Sequence, residues 1–407
     1  MKLRLPTDLD LTGKRVIYRV AYDVPLKLDE RGELMVADDS RLTATMPTLQ
    51  YLLRHRCKII IMSWLGRPVG KPEPDLSLKP VAERLAHIIK KPVKMLNDCV
   101  GEEVQHAIEA MKDGEVVMLE NVRFHPEENA NSPAFVEQLA ALGDLVIFDA
   151  FAQAHRTNAS TVGLLSKLPS AAGFLMNHEL DVLTKLIANP QRPLAVVLGG
   201  AKISDKAETL LHLLEIADQV AIGGALANLF LAAQGVKIGG SLIDTASVSF
   251  GAAETKAPID LAKEILAKGG QKIYLPTDAV IAPAADSTEI KIMDFKKSKA
   301  VPDDWKILDV GPATINVFTR LIDQAKTIFW NGPMGLFEQE NFSLGTKMIA
   351  GRVAETKATT VVGGGDTEAA ISHFNLSGQF THQTTGGGAM LYFLAGREFP
   401  VMPYLLA

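Results

Sequence analysis

The stretch TTVVGGGDTEAA, residues 359–370, carries the pattern that decides the fold. An apolar run stops at three glycines, and Asp366 and Thr367 follow where a helix is expected to start. Glycines at such a turn let the backbone come close to a ligand, and the positive end of the helix dipole suits an anion. A carboxylate beside an anion site therefore needs its own explanation.

Short runs rich in Val and Ile alternate with longer amphipathic segments along the chain. The runs show little polar alternation, which is typical of strands covered on both faces. They predict strands at 14–20, 58–64, 115–121, 144–151, 194–200, 219–224, 272–276, 326–330 and 359–365. Apolar residues at three- and four-residue spacing predict helices at 78–91, 205–217 and 344–358. This alternation predicts parallel α/β sheets, in which ligands bind beyond the carboxyl ends of the strands.

The composition is that of an ordinary globular protein. The chain has 407 residues, 47% of them hydrophobic and 22% charged, and this length favours two domains. A net charge of −5 gives no reason to expect nucleic-acid or membrane partners. Cys57 and Cys99 are the two cysteines; they have no metal-type spacing and favour a reducing compartment.

Neither of two other segments predicts export or a membrane span. The first residues lack the apolar core of a signal peptide. The apolar window 219–236 contains a pair of glycines and an Asn, so we interpret it as a buried strand, a turn and a helix. We expect a soluble, cytoplasmic protein.

Basic residues follow the candidate strands of the first half of the chain. Arg67 follows the strand at 58–64, Arg123 follows that at 115–121, and Arg156 follows that at 144–151. Arg41 opens a helical segment. A single Arg is best explained as a surface ion-pair partner, but four at such positions favour a small, highly charged anion such as a phosphate or carboxylate.

Glycine-rich turns take the corresponding positions in the second half. They lie at 198–206, 222–228, 330–335, 362–367 and 384–389. Backbone N–H groups at helix starts suit the phosphates of a nucleotide. Guanidinium groups in one half and glycine turns in the other predict phosphoryl transfer across a cleft. The boundary is expected near 165–190, where Pro169 and Pro190 bracket a helical segment suited to a hinge.

The standard phosphate-binding signatures are absent from the sequence. It contains neither the P-loop pattern G-x-x-x-x-G-K-[ST] nor a G-x-G-x-x-G after a strand, and it lacks the protein-kinase motifs. These classes of nucleotide-binding protein are therefore disfavoured.

Lys202 and Lys206 are predicted to begin a helix, where their spacing would put them on one face. They are either solvated lysines or phosphate ligands, and we favour function because the dipole disfavours lysine at a helix start. Asp366 is either an N-cap or a ligand of Mg²⁺, the ion that phosphoryl transfer uses to neutralise oxygens. On the second interpretation, the glycines receive phosphates and Asp366 receives the metal.

Three further residues have weaker patterns. Glu338 is either a contact of a nucleotide sugar or an ordinary surface acid, and spacing alone does not decide between them. His125 and His155 are interpreted as structural, because phosphoryl transfer onto a carboxylate requires no general base.

Taken together, these segments resemble the phosphoglycerate kinase family over essentially the whole chain. The matching stretches are DDSRLTATMPT, LGRP, LENVRFHPEE, DAFAQAHR, AGFLM, LGGAKISDK, WNGPMGLFE, VGGGDT, and TTGGGA through LAGREFP. The resemblance implies two doubly wound, Rossmann-like parallel α/β lobes joined by a helical hinge. Closure about that hinge would exclude water from the reactive acyl phosphate.

The resemblance also implies the domains, the reaction and the partners. Residues 1–172 and a returning tail at about 393–407 would bind phosphoglycerate, and residues 173–392, with the hinge helix, would bind nucleotide. The reaction would be phosphoryl transfer between 1,3-bisphosphoglycerate and MgADP, which makes the protein an ATP-dependent phosphotransferase with Mg²⁺ and ATP or ADP. The family usually works as a monomer.

The family's site residues are carried over by position. The substrate would contact Asp23, Arg41, Trp64, Leu65, Gly66, Arg67, Arg123 and Arg156. The nucleotide would contact Gly199, Gly200, Ala201, Lys202, Lys206, Gly224, Gly311, Asn331, Pro333, Glu338, Gly364, Gly365, Asp366 and Thr367. The transferring phosphoryl group would be stabilised by Arg41, Lys202, Lys206 and Gly364, and Asp366 would hold the metal.

The chain departs from the family pattern in the substrate half. Ala21 and Asp23 stand where the family has Asp and Asn, Trp64 replaces a histidine, and Asn158 replaces a second histidine or glutamine. Three interpretations follow: an ordinary phosphoglycerate kinase in which Asp23 contacts the substrate hydroxyl, a diverged kinase for another carboxylate with Trp64 as an apolar wall, or a non-catalytic binding protein. The intact Lys and Arg set argues against the third.

Overall fold

The computed structural model describes residues 2–68, 70–250 and 254–407. It divides into two compact units, one formed by Met1–Asp181 with Glu398–Ala407 and the other by Val182–Arg397. The sequence placed the boundary after residue 172 and the start of the tail near 393. The division instead falls inside a long helix, Phe174–Ala188, and at residue 397.

A six-stranded parallel sheet forms the centre of the first unit. Its strands come in the spatial order β5-β6-β4-β1-β7-β8, with every neighbouring pair parallel. An antiparallel hairpin, β2–β3, stands apart from it. The bounds are β1 (Arg15–Arg19), β2 (Leu26–Leu28), β3 (Leu34–Val36), β4 (Lys58–Met62), β5 (Lys94–Met95), β6 (Val116–Met118), β7 (Leu145–Phe148) and β8 (Ser170–Ala172).

Helices connect these strands, as expected for parallel neighbours. They are α1 (Ser40–Ala44), α2 (Met46–Arg54), α3 (Lys79–Ile89), α4 (Glu102–Glu109), α5 (Pro126–Ala130) and α6 (Pro133–Ala140). Helix α7 (Phe174–Ala188) follows β8, the last strand of this sheet along the chain. Single turns of 3₁₀-helix occur at Pro6–Asp8, Pro74–Leu76, Val122–Phe124 and Phe151–Gln153, and a π-helical turn occurs at Ala159–Gly163.

The second unit contains another six-stranded parallel sheet, ordered β13-β10-β9-β17-β18-β19. An antiparallel sheet, β15-β14-β16, and a hairpin, β11–β12, accompany it. The bounds are β9 (Leu194–Leu198), β10 (Gln219–Ile222), β11 (Val248–Phe250), β12 (Glu254–Lys256), β13 (Ile273–Tyr274), β14 (Asp278–Ala282), β15 (Lys291–Asp294), β16 (Lys306–Val310), β17 (Thr327–Asn331), β18 (Thr359–Val362) and β19 (His382–Gln383).

The helices of this unit are α8 (Ala207–Ile216), α9 (Gly224–Ala233), α10 (Pro258–Gly269), α11 (Pro312–Gln324), α12 (Leu344–Glu355), α13 (Gly365–His373) and α14 (Gly387–Leu394), with 3₁₀ turns at Gly270–Lys272 and Glu340–Phe342. Across the described residues, no helix combines the length and apolar character needed to cross a bilayer. The apolar window 219–236 is strand β10, a glycine turn and helix α9, which confirms the sequence-based interpretation.

All the predicted strands are present, and most end earlier than predicted. Where the predicted strand ended in glycines, at 194–200, 219–224 and 359–365, those glycines lie in the following turn or helix start. The antiparallel sheet β15-β14-β16 and the hairpins were not predicted. The outer strands β15 and β16 are partly exposed, so their sequences lack the continuous apolar runs that mark a buried parallel strand.

A buried carboxylate fastens the start of α7 to the first sheet. Asp149 follows β7 and is fully buried; it accepts hydrogen bonds from the Tyr18 hydroxyl at 2.8 Å and from the backbone N–H of Met176 at 2.8 Å. Burial raises the pKa of Asp149 although these hydrogen bonds favour its charged form. The first turn of α7 is thereby held to the sheet.

The C-terminal tail packs on the first unit. It contains a short helix, α15 (Met402–Leu405), and the backbone N–H of Arg4 donates to the carbonyl of Leu405 at 2.8 Å. Phe399 is 1% exposed and meets Phe151 edge to face, with ring centroids 5.7 Å apart. The tail thus supplies core residues to the first unit, although it lies far in sequence from the strands of that unit.

Phe399→Ala should lower the free energy of unfolding by about 3–5 kcal/mol, because it leaves a cavity in the packed core of the first unit. Urea denaturation monitored by far-ultraviolet circular dichroism measures the free energy of unfolding. Glu398→Ala, at the exposed neighbouring residue, should change it by no more than about 0.5 kcal/mol. Equal stabilities of the two variants would contradict the structural role of the tail.

Candidate active site

Three neighbouring parallel strands of the second unit end at the same edge of the sheet. Their register pairs Leu198 of β9 with Asn331 of β17, and Trp330 of β17 with Val362 of β18. The turns that follow each strand therefore meet. The backbone N–H of Gly199 donates to the carbonyl of Asn331 at 2.9 Å.

These turns need glycine because atoms of the neighbouring turns lie too close to leave room for a Cβ. A Cβ on Gly199 would lie 2.0 Å from the carbonyl oxygen of Pro333. Gly364 has φ = 107°, and a Cβ there would lie 2.4 Å from Nδ2 of Asn331. A Cβ on Gly365, by contrast, would meet nothing within 4 Å, so space for a ligand remains beside that residue.

Lys206 extends its ammonium group into the place where the turns meet. Its Nζ donates to the carbonyl of Gly199 at 2.8 Å and to Oδ1 of Asn331 at 2.5 Å. Burial lowers the pKa of Lys206 to about 8, although the nearby carboxylates of Asp366 and Asp205 favour the charged form. The cation is therefore incompletely neutralised, and an anion that bound there would stabilise it.

The expectation that Lys202 and Lys206 share a helix face is wrong. Helix α8 begins at Ala207 with Lys206 as its N-cap, and residues 201–206 form turns. The N–H of Ser204 is held by the Asp244 carboxylate at 3.1 Å. Lys202 is exposed and lines neither of the two cavities of this unit described next.

The first of these cavities, of about 250 Å³, is mostly apolar and is here called the apolar cavity. Its walls suit a flat, weakly polar ring, since ligand sites combine apolar walls with a few polar groups. The candidate residues that line it are Gly200, Ala201, Gly224, Pro333, Glu338 and Asp366, together with apolar residues such as Leu231, Leu242, Met334 and Phe337.

The second cavity, of about 570 Å³, is more polar and is here called the polar cavity. It is lined by the first residues of helices α13 and α14, whose N–H groups lack partners within their helices. The candidate residues that line it are Lys206, Asn331, Gly364, Gly365, Asp366 and Thr367. Asp366, which is exposed, belongs to both cavities.

Gly311 lies outside both cavities. It is the N-cap of α11, and the Asp278 carboxylate accepts hydrogen bonds from the N–H groups of Ala313 at 2.9 Å and Thr314 at 2.7 Å. The N-terminus of this helix is therefore already capped by a protein carboxylate. A Cβ on Gly311 would lie 2.3 Å from that carboxylate, which explains the glycine without a ligand.

In the first unit, Asp23 connects two candidate segments through its side chain and its backbone. Its Oδ1 accepts a hydrogen bond from the N–H of Gly66 at 2.8 Å, and its carbonyl accepts one from Nη1 of Arg41 at 2.9 Å. Leu65 is buried and its N–H is held by the Asn121 side chain at 3.3 Å. Asp23 thus fixes the turn that carries Gly66 and Arg67.

Arg123 is half-buried and lies near the guanidinium groups of Arg67 and Arg156. Its Nη1 donates to the carbonyl of Gly66 at 2.7 Å. Burial lowers the pKa of Arg123; Asp23 and Glu128 oppose this, and the positive charges of Arg156 and Arg67 add to it. The structure therefore brings Arg67, Arg123 and Arg156 near one another, and both Arg67 and Arg156 are exposed.

Trp64 lies between two guanidinium groups. Its ring centroid is 3.9 Å from Cζ of Arg123 and 4.6 Å from Cζ of Arg19, and Trp64 is only 3% exposed. Cation–π contact of this kind is worth about 2 kcal/mol when the cation is desolvated. The indole therefore holds Arg123 in place, and its small exposed area does not form an open apolar wall.

Arg19 is a residue that the sequence analysis missed. It is fully buried, donates from Nε to the Ser160 hydroxyl at 3.0 Å, and also donates to the carbonyl of Val20. Burial lowers its pKa to about 10, while the buried Glu128 carboxylate favours its charged form. The available signal was a charged residue at the end of the apolar strand RVIYR.

Asn158, His125 and His155 have structural environments, and nothing in the structure explains Ala21. Asn158 is buried and donates from Nδ2 to Oδ1 of Asn129 at 2.9 Å. Ala21 is half-buried. Burial lowers the pKa of His155 to about 4, so it is neutral near pH 7. Nε2 of His125 lies 2.7 Å from Oδ1 of Asp98.

Comparisons with known proteins agree on one family. Residues 7–397 match the family model described as phosphoglycerate kinase. The chain is 45% identical to the phosphoglycerate kinase of Solibacter usitatus over 395 residues, which cover 97% of this chain and 96% of that protein. It is 45% identical to that of Pseudothermotoga lettingae over 404 residues, which cover 98% of each.

Two solved structures are similar in fold. The phosphoglycerate kinase of Coxiella burnetii superposes with a TM-score of 0.83 at 36% identity, covering 99% of this chain and 98% of that one. The enzyme of Pyrococcus horikoshii OT3 has a TM-score of 0.84 at 31% identity, with the same coverage.

The amine of Lys206 should titrate near pH 8 rather than near 10.5, as observed by NMR of ¹³Cε-labelled lysine, with Lys206→Arg to assign the signal. Because the unfolded chain keeps its proton to higher pH, the contribution of Lys206 to the free energy of unfolding should rise between about pH 8 and 10.5. Lys206→Met should lack that rise. A midpoint above 10 would contradict the burial of the ammonium group.

Proposed function

This chain belongs to the phosphoglycerate kinase family, and on that premise we propose how its residues divide the family's reaction between two sites. The reaction is the reversible transfer of a phosphoryl group between 1,3-bisphosphoglycerate and ADP in glycolysis, which gives 3-phosphoglycerate and ATP. The enzyme is thus an ATP-dependent phosphotransferase with a carboxyl acceptor. The observation that carries the division is the half-buried Lys206 ammonium, held at the meeting point of glycine turns.

The second unit binds the nucleotide. The adenine ring occupies the apolar cavity, against Gly200, Ala201, Gly224 and Pro333, with Glu338 at the ribose. The phosphates occupy the polar cavity, where the N–H groups at the start of α13 and the ammonium of Lys206 offset their charge. Gly199 and Asn331 act by holding Lys206, and Thr367 by accepting a hydrogen bond from Gly332 at 2.7 Å.

Asp366 suits a magnesium ion that accompanies the nucleotide. Its carboxylate is exposed, lies at both cavities and adjoins the proposed phosphate site. Mg²⁺ is commonly held by one or two carboxylates together with substrate phosphates, and it neutralises charge on the phosphate oxygens. This fit supports Asp366 as the metal ligand.

The first unit binds phosphoglycerate. Arg67, Arg123 and Arg156 supply positive charge, and Arg41 is held near them by the carbonyl of Asp23. The mutual repulsion of the guanidinium groups supports a dianionic phosphate as their ligand, because binding relieves that repulsion. Asp23 and Trp64 position this group; in the family as described above, an Asn and a His stand at their places.

The chemistry needs no general base. A carboxylate oxygen of 3-phosphoglycerate forms the new bond to phosphorus as the bond to the ADP oxygen breaks, so no proton has to move. Charge that develops on the transferring oxygens is met by Arg41, Lys206 and the amide of Gly364. Lys202 is assigned with them from the family resemblance alone, since its exposed side chain lines neither cavity. We also propose that the enzyme works as a cytoplasmic monomer; its two cysteines, both buried, are free thiols, as a reducing compartment allows.

One experiment tests the substrate assignment. Turnover is measured in a coupled assay with MgATP and 3-phosphoglycerate, beside thermal shifts with each ligand alone. Turnover together with stabilisation by both ligands supports the proposal. Stabilisation by nucleotide alone would indicate another carboxylate acceptor, and no response to either ligand would indicate a protein without the activity.

Lys206→Ala should lower kcat by about 10²–10³-fold, because it removes one preorganised donor from the developing charge. The exposed Lys347→Ala on α12 is the matched control and should retain full activity. The coupled assay and far-ultraviolet circular dichroism distinguish loss of chemistry from loss of fold. Activity of Lys206→Ala within a few-fold of the parent would refute its role.

Trp64→Ala should raise KM for 3-phosphoglycerate by about 10–30-fold, as expected from losing about 2 kcal/mol of cation–π contact to Arg123. The KM for ATP should not change, and Trp64→Phe should retain most of the affinity because it keeps an aromatic face. Trp305→Phe, which alters the stacking partner of Lys291 in the second unit, serves as the control. An unchanged KM in Trp64→Ala would remove the positioning role.

A further inference from the structure

A cluster of three different metal-ligating side chains lies in the first unit, and none of them is used by the reaction above. We propose that Asp98, Cys99 and His125 form a binding site for a thiophilic divalent cation, for which Zn²⁺ is the best match. The proposal does not depend on the assignment of substrate or nucleotide residues. It concerns a cation chemically distinct from Mg²⁺.

The ligand atoms are already close together. One carboxylate oxygen of Asp98, Sγ of Cys99 and a ring nitrogen of His125 all lie within 4.8 Å of one another. Tetrahedral Zn²⁺, with bonds of about 2.0–2.3 Å, separates its ligand atoms by roughly 3.3–3.7 Å. To surround the ion, Oδ1 of Asp98 and Nε2 of His125, now 2.7 Å apart, would separate by about 0.6–1 Å, and no other pair of ligand atoms would need to approach by more than about 1.5 Å, which is within the range of side-chain adjustment.

The side chains are held in this arrangement by the surrounding structure. Oδ1 of Asp98 accepts hydrogen bonds from His125 Nε2 at 2.7 Å and from the backbone N–H of Cys99 at 2.6 Å. The ring of His125 stacks on Phe135, with centroids 5.1 Å apart. Little conformational freedom would be lost on binding, which favours affinity.

The cluster is reachable from solvent on one side. The side chains of Asp98 and His125 are 50% and 28% exposed, whereas Cys99 is fully buried beneath them. Asp98 also lines a cavity of about 380 Å³ together with Glu102 and Glu103, whose charges attract cations. An ion would meet the carboxylate and imidazole first and then the sulfur, with a water molecule as the fourth ligand.

The donor set decides which cation binds. Thiolate and imidazole select Zn²⁺ and its congeners, whereas Mg²⁺ prefers oxygen ligands alone. Binding forms bonds from sulfur, nitrogen and oxygen to the metal, and the thiol proton passes to solvent, as does a proton on the coordinating imidazole nitrogen. No electron is transferred. Without an ion, the same three groups form a hydrogen-bonded cluster, which is the alternative explanation of the geometry.

The test uses the full-length protein, reduced and freed of metal, titrated with Cd²⁺ and Co²⁺. One equivalent should produce the ultraviolet thiolate-to-cadmium band, and Co²⁺ should give the visible spectrum of a tetrahedral thiolate site. Cys99→Ser should abolish both, whereas Cys57→Ser, at the other buried cysteine, should leave both unchanged. Saturating MgATP should not displace the ion.

A second pair of variants covers the case in which Cys99→Ser does not fold. His125→Asn should weaken Zn²⁺ binding by at least tenfold in competition with a chelating dye, consistent with the loss of one ligand. His87→Asn, at an exposed histidine on α3, should bind as the parent does. Absence of the thiolate band, or equal affinity in His125→Asn and the parent, would overturn the site and leave a hydrogen-bonded cluster.

Discussion

The close approach of the turns that follow three parallel strands is the constraint on which the second unit depends. Gly199 touches the carbonyl of Pro333, and Gly364 touches the amide of Asn331, at distances where no Cβ fits. That proximity brings together the two backbone carbonyls, of Gly199 and Asn331, that hold Lys206. The glycines thus act chiefly by letting the turns meet, while the space beside Gly365 remains for phosphates.

The first unit holds several guanidinium groups near one another, and their like charges repel. Arg123 is stabilised by three different kinds of contact: the carbonyl of Gly66, the face of Trp64 and the more distant charges of Asp23 and Glu128. Trp64 also covers Arg19. A tryptophan at this place therefore preserves the positive group, although an indole carries no charge with which to bind phosphate itself.

The departures from the family pattern are connected to one another through these contacts. The carboxylate of Asp23 accepts a hydrogen bond from the N–H of Gly66, which lies two residues after Trp64. The departures at positions 23 and 64 therefore act on the same turn. Asn158 caps the π-helical turn that places Ser160 against Arg19 and Glu128. Together they rebuild the support of the guanidinium groups, which explains how the family's reaction persists with altered side chains around its substrate.

Local sequence determined the strands, the helices and the glycine turns, because buried parallel strands and strand-to-helix turns leave their mark on neighbouring residues. It therefore sufficed for the fold and for the division into arginine-bearing and glycine-bearing halves.

Three features of the candidate sites could not be predicted from local sequence. Lys206 caps α8 rather than lying within it, and its ammonium donates to the carbonyls of Gly199, which follows β9, and of Asn331 in β17. The stacking of Arg19 on Trp64 joins residues of two strand ends, and the cluster of Asp98, Cys99 and His125 joins segments separated by more than twenty positions. Such contacts depend on which strands become neighbours in space, and only the tertiary structure decides that.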